Sequence, residues 1–258
     1  MIIEYHRPDT INEMMGLLSR DDPRTVVLGG GLFLNEVVKD QIAVADIQNL
    51  GLNKIEIKGK KQKLGAGTTL QNILNNDKVH QVLKNAIKYQ ESYNRRQVAT
   101  LAGTVMAATG RSAIAAVLLV LDAEIEMIRN GKKAAKAHLG NFLPIREDYS
   151  KGTLITGFSV PTEISCVFNF AARSPADLPI IAAAVCQWPS GRTRVVLAGY
   201  GEQPIMVLDG PNSDGAEAAA KDAYSMAGDQ WGSAEYRSET AAELVLRCLK
   251  QIAEKNEG

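Results

Sequence analysis

The segment Thr25-Val26-Val27-Leu28 runs directly into Gly29-Gly30-Gly31 and then Leu32-Phe33-Leu34. A short buried strand feeding a turn without side chains constrains this fold more than any other stretch. Three consecutive glycines let backbone N–H groups converge on one point, forming a nest that accepts an anion such as a pyrophosphate. Taken alone, the same residues serve equally as a plain tight turn. A second small-residue stretch, Ala99-Thr100-Leu101-Ala102-Gly103-Thr104, offers two hydroxyls and an unhindered backbone. That suits either a diphosphate or ribitol chain or simple close packing.

The elements around these stretches follow from periodicity. Asp9-Thr10 precedes Ile11, Met14, Met15, Leu17 and Leu18, with Glu13 three residues after Thr10, the pattern of a capped amphipathic helix. Val44 to Ile47 reads as a second strand, and 55–66 as a hairpin turning at Gly59. Thr68-Thr69 caps a helix through Leu70, Ile73 and Leu74, and a further helix covers about 78–91. Ile114 to Leu121 is a near-continuous apolar helix, Glu124 to Ile128 a strand turning at Asn130-Gly131, and Thr153 to Val160 an exit strand. At Pro161-Thr162 the pattern changes. Val167 to Phe170, Ile180 to Trp188 and Thr193 to Ala198 form an antiparallel meander, closed by helices at Ala216–Met226 and Thr240–Ala253.

Composition removes several classes of function. Lys plus Arg and Asp plus Glu both number 29, for a net charge of zero, so no basic face for nucleic acid is expected. No apolar run approaches the roughly 20 residues that span a bilayer, and the start lacks a secretory leader, so membrane insertion is not expected and the cytoplasm is. Cys166, Cys186 and Cys248 lie far apart, with no C-x-x-C pair and no nearby histidine. They are expected as buried apolar residues or ordinary thiols, without a disulfide, zinc or iron–sulfur site. His6, His80 and His138 are isolated. No Walker loop, G-x-S-x-G elbow, H-E-x-x-H or G-x-G-x-x-G before a helix occurs. No catalytic or metal-ligating residue is therefore expected, and cofactor-type loops without catalytic side chains fit redox chemistry that the cofactor carries.

The order of the segments resembles the medium, FAD-binding subunit of the molybdenum hydroxylases, the group that includes xanthine dehydrogenase and aerobic carbon monoxide dehydrogenase. Tyr5-His6-Arg7-Pro8 with Thr10 and Glu13 is similar to that family's opening, and Val27 to Gly31 to its first FAD loop. Leu64-Gly65-Ala66-Gly67-Thr68-Thr69-Leu70 is similar to i-G-A-x-T-T-l, and Arg96 to Thr104 to R-N-x-A-T-L/I-G-G-N. Leu119 to Ala123, Gly152 to Ile155, Gly199-Tyr200-Gly201 with Pro204, and Gly232 to Arg237 follow in the family's order.

The resemblance implies an α+β fold: a two-subdomain FAD-binding domain of the p-cresol methylhydroxylase (PCMH) type over 1–161, split near residue 55, then a small C-terminal domain of antiparallel sheet plus helices over 162–258. It implies FAD as cofactor, held by Leu28, Gly29, Gly30, Gly31, Leu32, Phe33, Leu34, Thr100, Gly103 and Thr104, with Ser112 toward the ribose and Ile155 at the flavin. As partners it implies a molybdopterin-containing large subunit and a 2Fe–2S small subunit, with NAD⁺ or a quinone as electron acceptor. The sequence departs from the family at Gly31 (usually Thr), at Leu32 (usually acidic or polar), at Ala102-Gly103-Thr104, at Ala113 (usually the ribose-binding Asp) and at Asn169 (often a Lys). An alternative is thus a flavin-free structural subunit of the same kind of complex. A stand-alone flavin oxidase is disfavoured by the lack of a His or Cys attachment motif.

Overall fold

The computed structural model describes residues 1–34, 41–175 and 177–257. It divides into two compact units, each made of several chain segments. Unit 1 comprises Met1–Asp77, Ser92–Ala107 and Ala123–Val160; unit 2 comprises Lys78–Glu91, Ala108–Asp122 and Pro161–Gly258.

Unit 1 opens with strand β1 (Ile2–His6), helix α1 (Ile11–Leu18), β2 (Thr25–Leu28) and β3 (Ile42–Asp46). The strands form a parallel sheet in the order β1-β3-β2. Its central strand, Ile42-Ala43-Val44-Ala45-Asp46, is buried at every position, as a strand covered on both faces must be. Helix α1 carries the expected capping box: the Glu13 amide donates to Thr10 Oγ1, and the Thr10 amide to the Glu13 carboxylate. Its apolar stripe, Met14, Met15 and Leu18, packs on Ala45, Ile47 and Leu154. Strand β1 escaped the periodicity reading because Ile2, Ile3 and Tyr5 are all exposed, so no alternation marks it.

The register pairs His6 with Ala45 and Leu28 with Asp46. All three parallel strands therefore finish at one edge, where Arg7, Gly29 and Ile47 come next.

The second sheet of unit 1 orders β4 (Ile55–Lys58), β5 (Lys61–Gly65), β8 (Thr153–Pro161), β6 (Glu124–Arg129) and β7 (Ala135–His138) as β4-β5-β8-β6-β7. Both expected turns are present. Gly59 is left-handed (φ 61°) in the two-residue turn between β4 and β5, and Asn130 and Gly131 are left-handed together (φ 50° and 67°) in a turn closed by the Lys132 amide on the Arg129 carbonyl. One face buries Leu64, Ile125 and Met127. The other carries an ion-pair ladder in which Lys61 meets Glu124 at 2.6 Å while Lys63 and Lys136 both meet Glu126, at 3.3 and 2.8 Å. Short helices α2 (Leu70–Asn75), α4 (Tyr93–Val98), α5 (Leu101–Met106) and α7 (Leu139–Phe142) complete the unit.

Unit 2 contains helices α3 (Gln81–Gln90) and α6 (Ala113–Val120), an antiparallel sheet of β9 (Ser165–Ala171), β10 (Ile181–Gln187), β11 (Thr193–Ala198) and β12 (Ile205–Gly210), and helices α8 (Ala216–Ala223) and α9 (Ala234–Glu257). The expected meander is correct and gains β12 as a fourth strand in the order β12-β11-β10-β9. Val167, Ala183, Val185, Val195 and Leu197 pack against Ala220, Leu244, Val245 and Cys248 of the last two helices. Helix α6 is buried at all eight positions, which explains its apolar residues on every side.

Two buried arginines organise this unit. Arg237, fully buried, donates to the Ile180 and Gly199 carbonyls and to Asp229 Oδ1 at 2.6 Å. Arg194 bridges Asp122 at 2.9 Å and Asp209 at 2.6 Å, and Arg192 adds a second fork on Asp209 while lying over the Trp188 ring at 4.6 Å.

The expectation of three unpaired cysteines is corrected. Cys166 and Cys186 occupy opposed positions on β9 and β10 and are joined as a disulfide, leaving Cys248 free and buried. Their 20-residue separation is a hairpin, and strand register is invisible to spacing rules built on C-x-x-C.

Candidate cofactor site

The glycine turn at the end of β2 behaves as a nest. Gly31 is left-handed (φ 71°), a conformation that costs an L side chain about 1–2 kcal/mol. Gly29 and Gly30 face the Val98–Thr100 segment so closely that a Cβ on Gly30 would overlap the Val98 carbonyl oxygen, and one on Gly29 the Thr100 hydroxyl. Within the turn Leu34 N–H donates to the Gly31 carbonyl. The amides of Gly31, Leu32 and Phe33 make no hydrogen bond among the described residues. They are donors without an acceptor beside a cavity of 380 Å³, lined by Gly29 to Leu34, Ala99, Thr100, Ala102, Gly103, Tyr149 and Ile155. Arg95 lies 5.7 Å over the Phe33 ring and places a cation near the turn.

The second small-residue stretch differs from its expected form. Thr100 is the N-cap of α5, and its hydroxyl accepts from the Gly103 amide at 3.3 Å. The Leu101 amide donates to the Thr68 carbonyl and the Ala102 amide to that of Ala66. These N–H groups are already spent on the Ala66–Thr69 segment, so this stretch supplies a wall and the first turn supplies the free amides. Thr104 is buried, and its hydroxyl donates to the Thr100 carbonyl at 3.0 Å.

Of the expected positions, Gly29 to Leu34, Thr100, Gly103 and Ile155 line this cavity. Leu28, Thr104 and Ser112 do not. Leu28 borders a second cavity. Ser112 belongs to unit 2, where its hydroxyl accepts from the Thr109 amide at 2.8 Å. Asn169, at the family's lysine position, is held within unit 2: its Nδ2 donates to Gln251 Oε1 at 3.1 Å and to Cys248 Sγ at 3.2 Å. Sequence reasoning did not single out Arg24, Val26, Met106 and Tyr149 in the first cavity, because none of them falls within a motif.

It also missed the whole second cavity. This space of 520 Å³ is bordered by Arg7, Leu28, Gly29, Gly30, Asp46, Gln48, Asn53, Thr69, Asn72, Gln97 and Thr100, among others. Its signal was topological, since Arg7, Gly29 and Gln48 each lie just beyond a strand end.

The residues of the first cavity fit a flavin dinucleotide. Unpaired amides suit the diphosphate, a left-handed glycine opens the approach, and apolar walls suit a ring system. Compared with known families, residues 1–163 match the model of the FAD binding domain in molybdopterin dehydrogenase. The chain belongs to that family. FAD is its cofactor, and the family is one of oxidoreductases.

Among curated proteins, YgfM of Escherichia coli K12, itself uncharacterized, is 25% identical over 212 residues, covering 81% of this chain and 79% of that protein. The fold matches a chain of quinoline 2-oxidoreductase from Pseudomonas putida 86 with a TM-score of 0.79 at 19% identity, covering 98% of this chain and 97% of the other. It also matches a chain of the carbon monoxide dehydrogenase from Oligotropha carboxidovorans with a TM-score of 0.78 at 22% identity, covering 96% of each. Among the described residues no helix is long and apolar enough to cross a membrane.

Proposed function

We propose that this chain is the electron-relay subunit of a molybdenum hydroxylase, with residues 1–161 as the FAD-binding domain and 162–258 as a C-terminal domain. Electrons enter from an iron–sulfur partner, pass through the flavin and leave to NAD⁺ or a quinone, and substrate is oxidised on a molybdopterin-bearing chain. The cytoplasm is the place for such a complex.

The observation that carries this reading is the set of amides at Gly31, Leu32 and Phe33, unpaired among the described residues, beside a cavity walled by Ile155 and Tyr149. When bound, FAD supplies the electron-transfer chemistry. The protein binds and orients it: Gly31 to Phe33 donate to the diphosphate, Thr100 and Gly103 close the opposite wall, and Ile155 packs on a ring. Amide contacts do not depend on side chains, so they survive the departures at Gly31 and Leu32. Each side-chain hydrogen bond lost at Ala113 or Asn169 weakens binding by roughly 0.5–1.5 kcal/mol.

The test is the visible absorption spectrum of the purified chain, with heat release and mass identification of the nucleotide. One FAD per chain supports the reading. A protein that stays colourless even when co-expressed with its neighbouring subunits would overturn it in favour of a structural subunit that has outlived its cofactor.

A further inference from the structure

The contact of Gly29 and Gly30 with Val98–Thr100 leaves no room for even a methyl group, and it stands between two cavities that both border Gly29, Gly30 and Thr100. Gly31 to Leu34 and Ile155 lie on one side of it, and Arg7, Asp46, Asn53, Asn72 and Gln97 border the cavity on the other. A dinucleotide seated on the amides of Gly31 to Phe33 would lie in the first cavity and would not thread the contact at Gly30, leaving the second cavity to another ligand.

We infer that this second cavity binds a ribose phosphate group, free or as part of a nucleoside monophosphate. Its position is one where ligands gather, outside the carboxyl ends of parallel strands; Arg7 follows β1, Gly29 follows β2 and Asp46 ends β3. Arg7 is fixed there by neutral oxygens, with Nε donating to Asn49 Oδ1 and Nη2 to Gln48 Oε1, both at 3.0 Å. It has no carboxylate partner and no partner for Nη1 among the described residues. A guanidinium held in place by neutral oxygens, with no carboxylate bonded to it among the described residues, is a phosphate receptor.

Asp46, 3% exposed, borders the same cavity. Its Oδ1 accepts from the Gln48 amide at 2.9 Å and its Oδ2 from the Tyr5 hydroxyl at 2.7 Å, and an ionised carboxylate has further lone pairs for a vicinal diol. A bare anion would use Arg7 and be repelled by Asp46. A neutral polyol would leave Arg7 unused. A ribose phosphate satisfies both, and the amides of Asn53, Asn72 and Gln97 supply paired donors and acceptors for its remaining hydroxyls or for a base edge.

The inference rests on the cofactor reading only in seating FAD in the first cavity. It is tested by calorimetric titration of the FAD-loaded protein with AMP, ribose 5-phosphate and inorganic phosphate at near-physiological salt, with flavin content read from the visible band in the same samples. AMP and ribose 5-phosphate are expected to bind at least about tenfold more tightly than phosphate. Arg7→Gln, at an exposed position, is expected to weaken both by about tenfold or more with flavin content unchanged, and Gln97→Ala to weaken them less. Tighter binding of AMP than of ribose 5-phosphate identifies a nucleotide as the source; equal binding identifies the sugar phosphate. Absence of binding, phosphate binding as well as the sugars, or loss of flavin in Arg7→Gln would overturn the inference. A colourless protein that still binds AMP through Arg7 would sink the cofactor reading and leave this one standing.

Discussion

At Gly30 the methyl group of an alanine would overlap the Val98 carbonyl oxygen, which is backbone and cannot swing aside. At Gly31 the same methyl group meets only Leu28 Cδ1 at 3.4 Å, and its cost comes from the left-handed φ of 71°. Gly30→Ala should therefore destabilise the protein by about 1–3 kcal/mol and strip it of flavin, because the turn must move. Gly31→Ala should cost about 1–2 kcal/mol with partial flavin retention. Urea titration and the visible spectrum of each variant separate the two. Gly16 is the control: it lies inside α1 with nothing within 4 Å of an added Cβ. Gly16→Ala should raise stability by about 0.5–1 kcal/mol and leave flavin content alone. The residue types of this turn were legible in the sequence, since a glycine run after a strand admits a nest or a tight turn and the family resemblance pointed to the nest. Which glycine is limited by space and which by φ was not, because the Val98 carbonyl is brought to Gly30 by chain 68 residues away. Nor was the local bond of Thr104 legible: its hydroxyl donates to the carbonyl four residues before it.

The elements of unit 2 are tied together by charge as well as by apolar packing. Bonds from Arg192 and then Arg194 hold the Asp209 carboxyl down at about 2, against a desolvation that acts the other way. A depressed carboxylate contributes stability that is fully present above the unfolded value near 4 and is lost as pH falls through the folded value near 2. Asp209 is exposed, so solvent screening holds that contribution to about 1 kcal/mol or less. Asp209→Asn should lose it at pH 7 and, by guanidinium unfolding at a series of pH values, show a correspondingly flatter decline between about pH 4 and pH 2. The β9–β10 pair carries a second consequence. Unfolded without reductant, the chain should show a single reactive thiol, that of Cys248, and three after reduction; three thiols from the start would remove the disulfide. Elements with a local signature were read correctly, from the Thr10–Glu13 box to the Asn130-Gly131 turn. Strand β1 and helix α5 were not, one because its side chains face solvent and the other because Leu101-Ala102-Gly103-Thr104 is too small and too short to show a helical period.

For the molecule as a whole, ligand binding and folding are linked. Adding FAD to flavin-depleted protein at about 100 times its dissociation constant should raise stability by about 2.7 kcal/mol, seen as a concentration-dependent rise in Tm. The fold class and its strand-to-turn logic were legible, because family motifs and hydrophobic periods run in one direction along the chain. The grouping of segments was not, since a boundary at Pro161 is one-dimensional while segments 78–91 and 108–122 cluster with residues beyond it. The backbone changes unit at 77/78, 91/92, 107/108, 122/123 and 160/161, so no single cut of the gene yields an intact half. A fragment ending at residue 161 would keep α6 packed on α3 but without β10, β11 and the rest of its sheet, leaving the sheet-facing side of an apolar helix bare to water. Such a fragment should accumulate as aggregate, and a nick in the β8–β9 connection should leave the two pieces bound to one another, a molecule laced rather than linked.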